Sequence, residues 1–471
     1  MTAYLIGICG TGMASLAAML KQTGWEVRGS DVGIYAPMDR FLEDQGIVPL
    51  LGYDASHITE DIDVVVIGNA VSRGNPEVER VLDKRLRYVS LPEMLRDQFL
   101  WRQRSVVVAG THGKTTTTSM IAWALVHTGL DPSFLVGGIP ENFGVSFRVG
   151  DGQLFVVEGD EYDSAFFDKT AKCLKYLPEI AIVGNVEFDH ADIYEDIESL
   201  RTTFRRFLGL VPNTGRVLLG ADDQEACSLK EYANAPIETF GFDPCSNWRA
   251  VDVDYESDAT KFKVLHNDAV VADVHLPLLG AFNVRNALAA VAVSGAVEID
   301  PRRFADALGE FRGVRRRLEL RGITREVAVY DDFAHHPTAI RETLAALRSK
   351  GSGRIRAVFE PRSATACRKV FQKALAESLG LADDVVVAPV FRSSIPDQER
   401  LSVEELVSDL RVVGTGAYAA SSLQDVCEHI VDTSRRGDVV VLMSNGEFGS
   451  LHSEILDRLE TSSENLSDIT G

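Results

Sequence analysis

Residues 105–125 read SVVVAGTHGKTTTTSMIAWAL. An apolar run meets Gly110, then Gly-Lys-Thr at 113–115, then a segment of helical character. The usual phosphate-loop signature, G-x-x-x-x-G-K-[ST], would place a glycine at position 108. Val108 stands there and the nearest upstream glycine is Gly110, so the loop is a shortened one. At such a helix start backbone N–H groups and the helix dipole favour an anion. Lys114 can reach the outer phosphates of a nucleotide and the Thr115 hydroxyl can ligate Mg²⁺. The competing reading is a strand–turn–helix corner with a solvated lysine. A strand before, a helix after and Gly-Lys-Thr between them favour phosphate.

A magnesium nucleotide needs further oxygen or nitrogen ligands at the same sheet edge. LFVVEGDEYD (154–163) is a strand ending at Glu158, and IAIVGNVEFDHAD (180–192) is a second, ending near Asp189 and His190. In parallel sheets ligands gather beyond the carboxyl ends of the strands, which puts Glu158 and His190 beside Thr115 as metal candidates. Glu161 and Asp163 read as further metal candidates or, equally well, as part of a solvated loop or helix cap.

The flanking segments repeat the strand–helix alternation. YLIGI, EVRGS and VVVIG are short apolar runs separated by helical patterns such as MASLAAMLKQTG, which predicts a parallel sheet with crossover helices over residues 1–103. Its GICGTGM spaces Gly7, Gly10 and Gly12 as a shifted dinucleotide fingerprint. Asp31 follows the second strand, where a ribose hydroxyl is commonly bound. A central unit over 104–321 follows, in which VDVDY, KFKVL and VADVHL alternate with period two and predict a small antiparallel sheet. A third unit, 322–471, starts at Gly322, read as a hinge, and carries the strands VAVYD, IRAVFE, DVVVAPV and DVVVLMS. The fold class expected is therefore α/β in three domains: Rossmann-like, P-loop ATPase-like, and Rossmann-like again. The polar ETSSENLSDITG end is expected to fray.

Three units agree with 471 residues, more than one core can serve. A net charge of −21 argues against nucleic acid, so anionic substrates must be met by local cations and metal ions. No apolar run is long enough for a membrane span, and MTAYLIGICGTGM lacks the basic start of a signal peptide. Cys9, Cys173, Cys227, Cys245, Cys367 and Cys427 show no metal or redox spacing, which suggests a reduced, cytoplasmic setting.

Three later stretches carry further candidates. In GAFNVRNALAA, Asn283 and Asn286 could read an adenine edge or cap a helix. Arg315, Arg316 and Arg317 form a solvated basic patch by default, or a γ-phosphate clamp. Arg362, just after a strand in the third unit, could grip a carboxylate.

Together GTHGKTTT, VEGDEYDSAFFDK, NVEFDHAD, FNVRNALAA, RRRLELRG and DDFAHHPTAI resemble the Mur ligases, in order and across all three units. These enzymes join an amino acid or peptide to UDP-N-acetylmuramic acid intermediates at the expense of ATP. GICGT, GNAVSRGNPEVE, DEYDSAFFDK, EPRS and VLMSNGEFG resemble the branch that attaches the recycled tripeptide L-alanyl-γ-D-glutamyl-meso-diaminopimelate to UDP-N-acetylmuramate. The branch that attaches L-alanine is the alternative. The resemblance implies that Gly110, Thr111, His112, Gly113, Lys114, Thr115, Thr116, Asn286, Arg317 and Asp332 bind ATP. Gly10, Thr11, Gly12, Met13, Asp31 and Asn69 would hold the UDP part, and Arg362 would face the peptide. Thr115, Glu158 and His190 would hold Mg²⁺, with Lys114, His190 and Arg317 carrying the chemistry.

Three departures stand out. No lysine occurs between Lys175 and Lys230, so the carbamoylated lysine of the later-step members is missing. Phe282 stands where a histidine is common, and Glu447 replaces an expected glycine. The implied mechanism phosphorylates the lactyl carboxylate to an acyl phosphate, which the peptide amine attacks. His190, His335 and His336 are candidate bases, His336 reading better as part of a rigid turn. A monomer or homodimer is expected. Outside this class stand a dinucleotide-dependent oxidoreductase built on GICGTGM and a non-catalytic nucleotide switch.

Overall fold

The computed structural model describes residues 1–461 except 35–37, 190, 192, 352, 392–394 and 447. His190, Glu447 and the polar tail from 462 onward therefore lie outside the described residues. The rest form three main sheets, one per unit.

The first sheet runs, in spatial order, Leu50–Leu51, Glu26–Asp31, Thr2–Ile6, Val64–Ile67, Tyr88–Ser90, and every pairing is parallel. Its two central strands, Thr2–Ile6 and Val64–Ile67, are buried at every successive position, as strands covered on both faces are. The strand order reverses beside Thr2–Ile6, so that strand's carboxyl end opens on a crevice.

The second sheet begins at Arg104. Its order is Ala269–Leu276, Thr260–His266, Trp248–Tyr255, Ile237–Gly241, Arg216–Gly220, Pro178–Val183, Arg104–Ala109, Leu154–Glu158, Ser133–Leu135, Phe147–Arg148. The first three strands are antiparallel, as their alternation predicts. They do not form a separate sheet, because Phe240 pairs with Trp248 and joins them to the parallel core. Val106, Val107 and Val108 are buried at the centre, each side chain contributing about 1.5–3 kcal/mol.

The third sheet is Glu319–Thr324, Val327–Asp332, Val439–Met443, Ile355–Phe359, Asp384–Val387, Gly416–Ala419, antiparallel only at its first pair. Gly322, expected as a hinge, instead sits inside that edge strand opposite Val329, just after a register shift at Leu320–Gly322 and followed by the Ile323–Ala328 pair. The chain bends sharply just before it, where Arg316 (φ 60°) and Leu318 (φ 51°) take left-handed conformations.

The first and second units meet through the Ser15 and Ser146 hydroxyls at 2.8 Å and through Phe167, an edge-on neighbour of Tyr88 at 4.9 Å. Phe167 belongs to the AFFDK hairpin, whose arms are Asp163–Ala165 and Asp168–Ala171.

Candidate active site

The 105–125 stretch folds as its residues dictate. The strand Arg104–Ala109 ends, Gly110 (φ 122°) and Gly113 (φ 81°) turn the loop, and the helix Lys114–His127 begins. Both glycines are required by space as well as by φ. A Cβ on Gly110 would lie 2.9 Å from the Asn185 carbonyl oxygen, and one on Gly113 would lie 2.5 Å from Asn286 Oδ1. Asn185 fastens the loop: its Oδ1 accepts from the His112 N–H at 2.7 Å and its Nδ2 donates to the His112 carbonyl at 3.1 Å.

A cavity of about 390 Å³ opens above this loop, between the second and third units. Lys114, Thr115, Thr116, His112, Glu158, Asn286, Arg317 and Asp332 line it, so the ATP-side candidates from three distant segments do converge. Thr115 Oγ1 donates to Glu158 Oε1 at 3.0 Å, and Arg317 Nη2 donates to Thr115 Oγ1 at 3.0 Å. Glu158 also accepts from the Gly137 N–H at 2.8 Å. Arg317 is half-buried over the Phe333 ring, 4.6 Å from its centroid, and burial lowers its pKa.

Lys114 donates to the Gly110 carbonyl at 2.7 Å and to the Glu161 carboxylate at 2.7 Å. Glu161 is 1% exposed. The solvated reading of Glu161 is therefore wrong: burying a lysine ammonium requires a partner, and Glu161 supplies it. Burial alone would lower the Lys114 pKa, but Glu161 and Asp160 outweigh it and raise it. Asp163 does pair outward, with the exposed Lys169.

The arginine triplet divides three ways, because the φ of Arg316 sends successive side chains in different directions. Arg315 pairs with Glu141 at the surface at 2.6 Å. Arg316 donates to the Ser444 and Gly446 carbonyls in the third unit, at 2.8 and 2.5 Å. Arg317 alone enters the cavity, so a solvated patch does not describe it.

Of the two asparagines, Asn286 packs on Gly113 and accepts from Thr117 Oγ1 at 3.1 Å. Asn283 is buried with its amide donating to the Leu279 carbonyl at 2.8 Å, which closes a helix start and leaves no adenine-reading role. Phe282 lines the cavity.

Asp332 accepts from the Leu318 and Ala334 N–H groups at 2.6 and 2.7 Å and so shapes the third-unit wall. His336 caps the helix Pro337–Ser349 as a structural turn residue, and burial pushes its pKa down to about 4. His335 faces Asp189 at 3.8 Å.

Among the lining residues that carry no sequence signal, Asp222, Arg285 and Glu342 form one cluster. Arg285 donates to Glu342 at 2.6 Å and Asp222 at 3.1 Å, tying the third unit to the second at the far end of the cavity. Nothing local in their sequence marks them.

In the first unit, Gly10 caps the helix Thr11–Gln22, and Gly12 admits no Cβ without pressing on Leu91 at 3.2 Å. Asp31 accepts from the Cys9 N–H at 2.9 Å and the Gly33 N–H at 3.1 Å, holding the turn open at the crevice. Asn69 follows the neighbouring strand to the same edge. Met13 is 5% exposed, so its side chain belongs to the core beneath the turn. Arg362 lies outside the cavity, stacked 3.8 Å from the Phe391 centroid and packed on Gly446.

Comparison with known proteins matches three family models in the same order as the sheets. They are the Mur ligase family catalytic domain over 2–100, the Mur ligase middle domain over 108–294, and the Mur ligase glutamate ligase domain over 316–446. The chain belongs to the Mur ligase family.

This Mur ligase is 42% identical over 470 residues to the UDP-N-acetylmuramate–L-alanyl-γ-D-glutamyl-meso-2,6-diaminoheptandioate ligase of Escherichia coli K12, covering 98% of this chain and 99% of that one. It is 35% identical to the murein peptide ligase of Psychrobacter arcticus, with a TM-score of 0.73 over 98% of this chain and 99% of that one. The UDP-N-acetylmuramate-alanine ligase of Thermotoga maritima superposes at a TM-score of 0.81 with 26% identity, over 98% and 100% of the chains. Shape and sequence thus rank the two branches oppositely. A whole-chain score over three domains weighs their arrangement heavily, whereas identity weighs the side chains that meet substrate. Identity is the better guide to the branch. The dehydrogenase reading of GICGTGM falls with the family assignment, and the chain is an ATP-dependent ligase. No helix among the described residues is long and apolar enough to cross a membrane.

Proposed function

We propose that this Mur ligase joins the tripeptide L-alanyl-γ-D-glutamyl-meso-diaminopimelate to UDP-N-acetylmuramate, consuming ATP. The observation that carries the reading is the convergence of Lys114, Thr115, Glu158 and Arg317 on one cavity, combined with 42% identity to the Escherichia coli tripeptide ligase.

A carboxylate offers an amine no adequate leaving group. Transfer of the γ-phosphoryl group to a lactyl carboxylate oxygen makes an acyl phosphate. The peptide amine then attacks the carbonyl carbon, the C–O bond to phosphate breaks, and phosphate leaves with that oxygen. The step gathers anions, so its barrier is electrostatic. Arg317 and Lys114 supply cations to the same cavity, and the loop N–H groups supply dipoles. Arg317, partly desolvated over Phe333, is worth more to a developing phosphoryl charge than it would be in water.

Mg²⁺ fits this site: the Thr115 hydroxyl and the Glu158 carboxylate face one another at 3.0 Å, two oxygen donors of the hard-cation type. Thr115 and Glu158, with His190, would hold it, and when bound it neutralises phosphate charge. The crevice with Gly10, Thr11, Gly12, Asp31 and Asn69 takes the UDP group, through backbone N–H groups and the Asp31 carboxylate. Arg362, on the third unit, takes a peptide carboxylate.

Water is kept from the acyl phosphate by docking of the third unit, whose Asp332, Phe333 and Thr338 complete the cavity. Comparing ADP release with UDP-N-acetylmuramate and either tripeptide or L-alanine tests the reading. Turnover at least tenfold faster with tripeptide is expected at roughly this level of pocket discrimination; equal or faster turnover with L-alanine would assign the chain to the other branch.

A further inference from the structure

One residue of the NVEFDH stretch makes contacts that the ligase chemistry above does not use. Glu187 follows the strand Pro178–Val183 and reaches both sides of the cavity seam. Its Oε2 faces His112 Nε2 at 2.9 Å, inside the phosphate loop. Its Oε1 accepts from Thr338 Oγ1 at 3.1 Å, in the first turn of the third-unit helix Pro337–Ser349. His336 Nδ1, the cap of that helix, stands 3.4 Å from Oε2. The His112 and His336 rings lie 4.7 Å apart across the seam.

Glu187 is also fixed through its backbone. Its N–H donates to Thr111 Oγ1 at 2.9 Å, and the same hydroxyl donates to the Glu187 carbonyl at 3.1 Å. One residue therefore joins two consecutive loop residues to the start of a helix that belongs to another domain. The donor atoms of His112, Glu187 and His336 fall within 4.8 Å of one another. Of these groups, Glu187 Oε1 is turned to Thr338 and His336 Nδ1 accepts from the Thr338 N–H at 3.3 Å. Burial would raise the Glu187 pKa, but the hydrogen bond and charge from His112 and the bond from Thr338 outweigh it and lower it to about 2. The carboxylate is ionised and held on both sides.

We propose that Glu187 is a positioning residue that couples docking of the third domain to the geometry of the phosphate loop. The proposal rests on the ligase reading, in which ATP lies against that loop. With the third domain docked, Thr338 fixes the Glu187 carboxylate, and the carboxylate fixes His112. With it undocked, the carboxylate loses that partner and the loop loses a restraint where the phosphates sit. Phosphoryl transfer thus proceeds fastest once the cavity is closed to water.

The test is a double-mutant cycle on the full-length protein, reading kcat and KM(ATP) for ADP release with UDP-N-acetylmuramate and tripeptide. E187A should lower kcat by ~10- to 100-fold, the cost of a small misplacement at the reacting groups, with KM(ATP) changed less than about threefold. T338V should lower kcat about tenfold, the worth of one hydrogen bond to a charged acceptor. E187Q, which keeps an acceptor for Thr338, should recover most of the activity. In E187A/T338V the kcat should match that of E187A, because the two act through one contact. E187M replaces E187A where truncation prevents folding, since it keeps the length and removes both acceptors. A double mutant another tenfold slower, or an E187A whose KM rises with kcat intact, overturns the proposal. Wild-type enzyme releasing no ADP would instead sink the ligase reading beneath it.

Discussion

Arg317 Nη2 lies 3.0 Å from the Thr115 hydroxyl, a contact spanning 202 residues of chain. It joins the entry to the third domain with the first turn of the phosphate-loop helix. Arg317→Ala should therefore remove a preorganised cation from the transition state and lower kcat for ADP release by about 10²–10³. Arg317→Lys should recover little, because an ammonium cannot lie flat over Phe333 while also donating to Thr115. Steady-state kinetics check both, and a Lys variant near wild type would remove the guanidinium from the mechanism.

Lys114→Ala is expected from the sequence to leave the fold intact while abolishing ligation. The structure changes half of that expectation. Removing Lys114 takes a charged partner from the buried Glu161 carboxylate, which should destabilise the protein by roughly 3 kcal/mol. Lys114→Ala/Glu161→Ala should regain most of that stability in urea denaturation and none of the activity. Equal stability of Lys114→Ala and wild type would contradict the pair's role.

Glu158→Ala should raise the Mg²⁺ concentration needed for half-maximal rate, since Glu158 and Thr115 form the oxygen pair that fits the cation. A magnesium titration of the variant checks this. An unchanged titration curve would take Glu158 out of the metal site.

Acid should loosen the seam between the second and third domains. The His336 imidazole has its pKa lowered from 6.5 to about 4, so the stability tied to its neutral form is present above 6.5 and is lost as pH falls through 4. Glu187, lowered from 4.5 to about 2, adds a second loss that begins below 4.5. Thermal denaturation should show the melting temperature falling from about pH 6.5 downward. His336→Asn, which keeps the cap acceptor, should flatten the limb between 6.5 and 4. Identical profiles for the two proteins would contradict the assignment.

How far the site was legible follows from how local each signal is. Gly110, Gly113, Lys114 and Thr115 form a contiguous motif whose chemistry needs only its own strand and helix. Glu158 was legible because a strand end fixes direction as well as position. Glu161 stays open in the sequence because its pairing with Lys114, 47 positions earlier, is a tertiary contact. The three arginines carry the same side chain, and only the left-handed Arg316 decides which one enters the cavity. Gly322 read as a hinge because glycine marks freedom in sequence, whereas pairing with Val329 makes this one a strand residue. The Arg285–Glu342 bridge and the Glu187 contacts arise from domain docking, and a single sequence has no periodicity that reports it.

Phosphoryl transfer to the substrate carboxylate within one shared cavity is the central claim, and oxygen tracing measures it directly. UDP-N-acetylmuramate labelled with ¹⁸O in its lactyl carboxylate is ligated to the tripeptide with unlabelled ATP, and the released phosphate is analysed by mass. One labelled oxygen in the inorganic phosphate for each amide formed is the predicted result. Unlabelled phosphate, or label appearing in AMP, would contradict it.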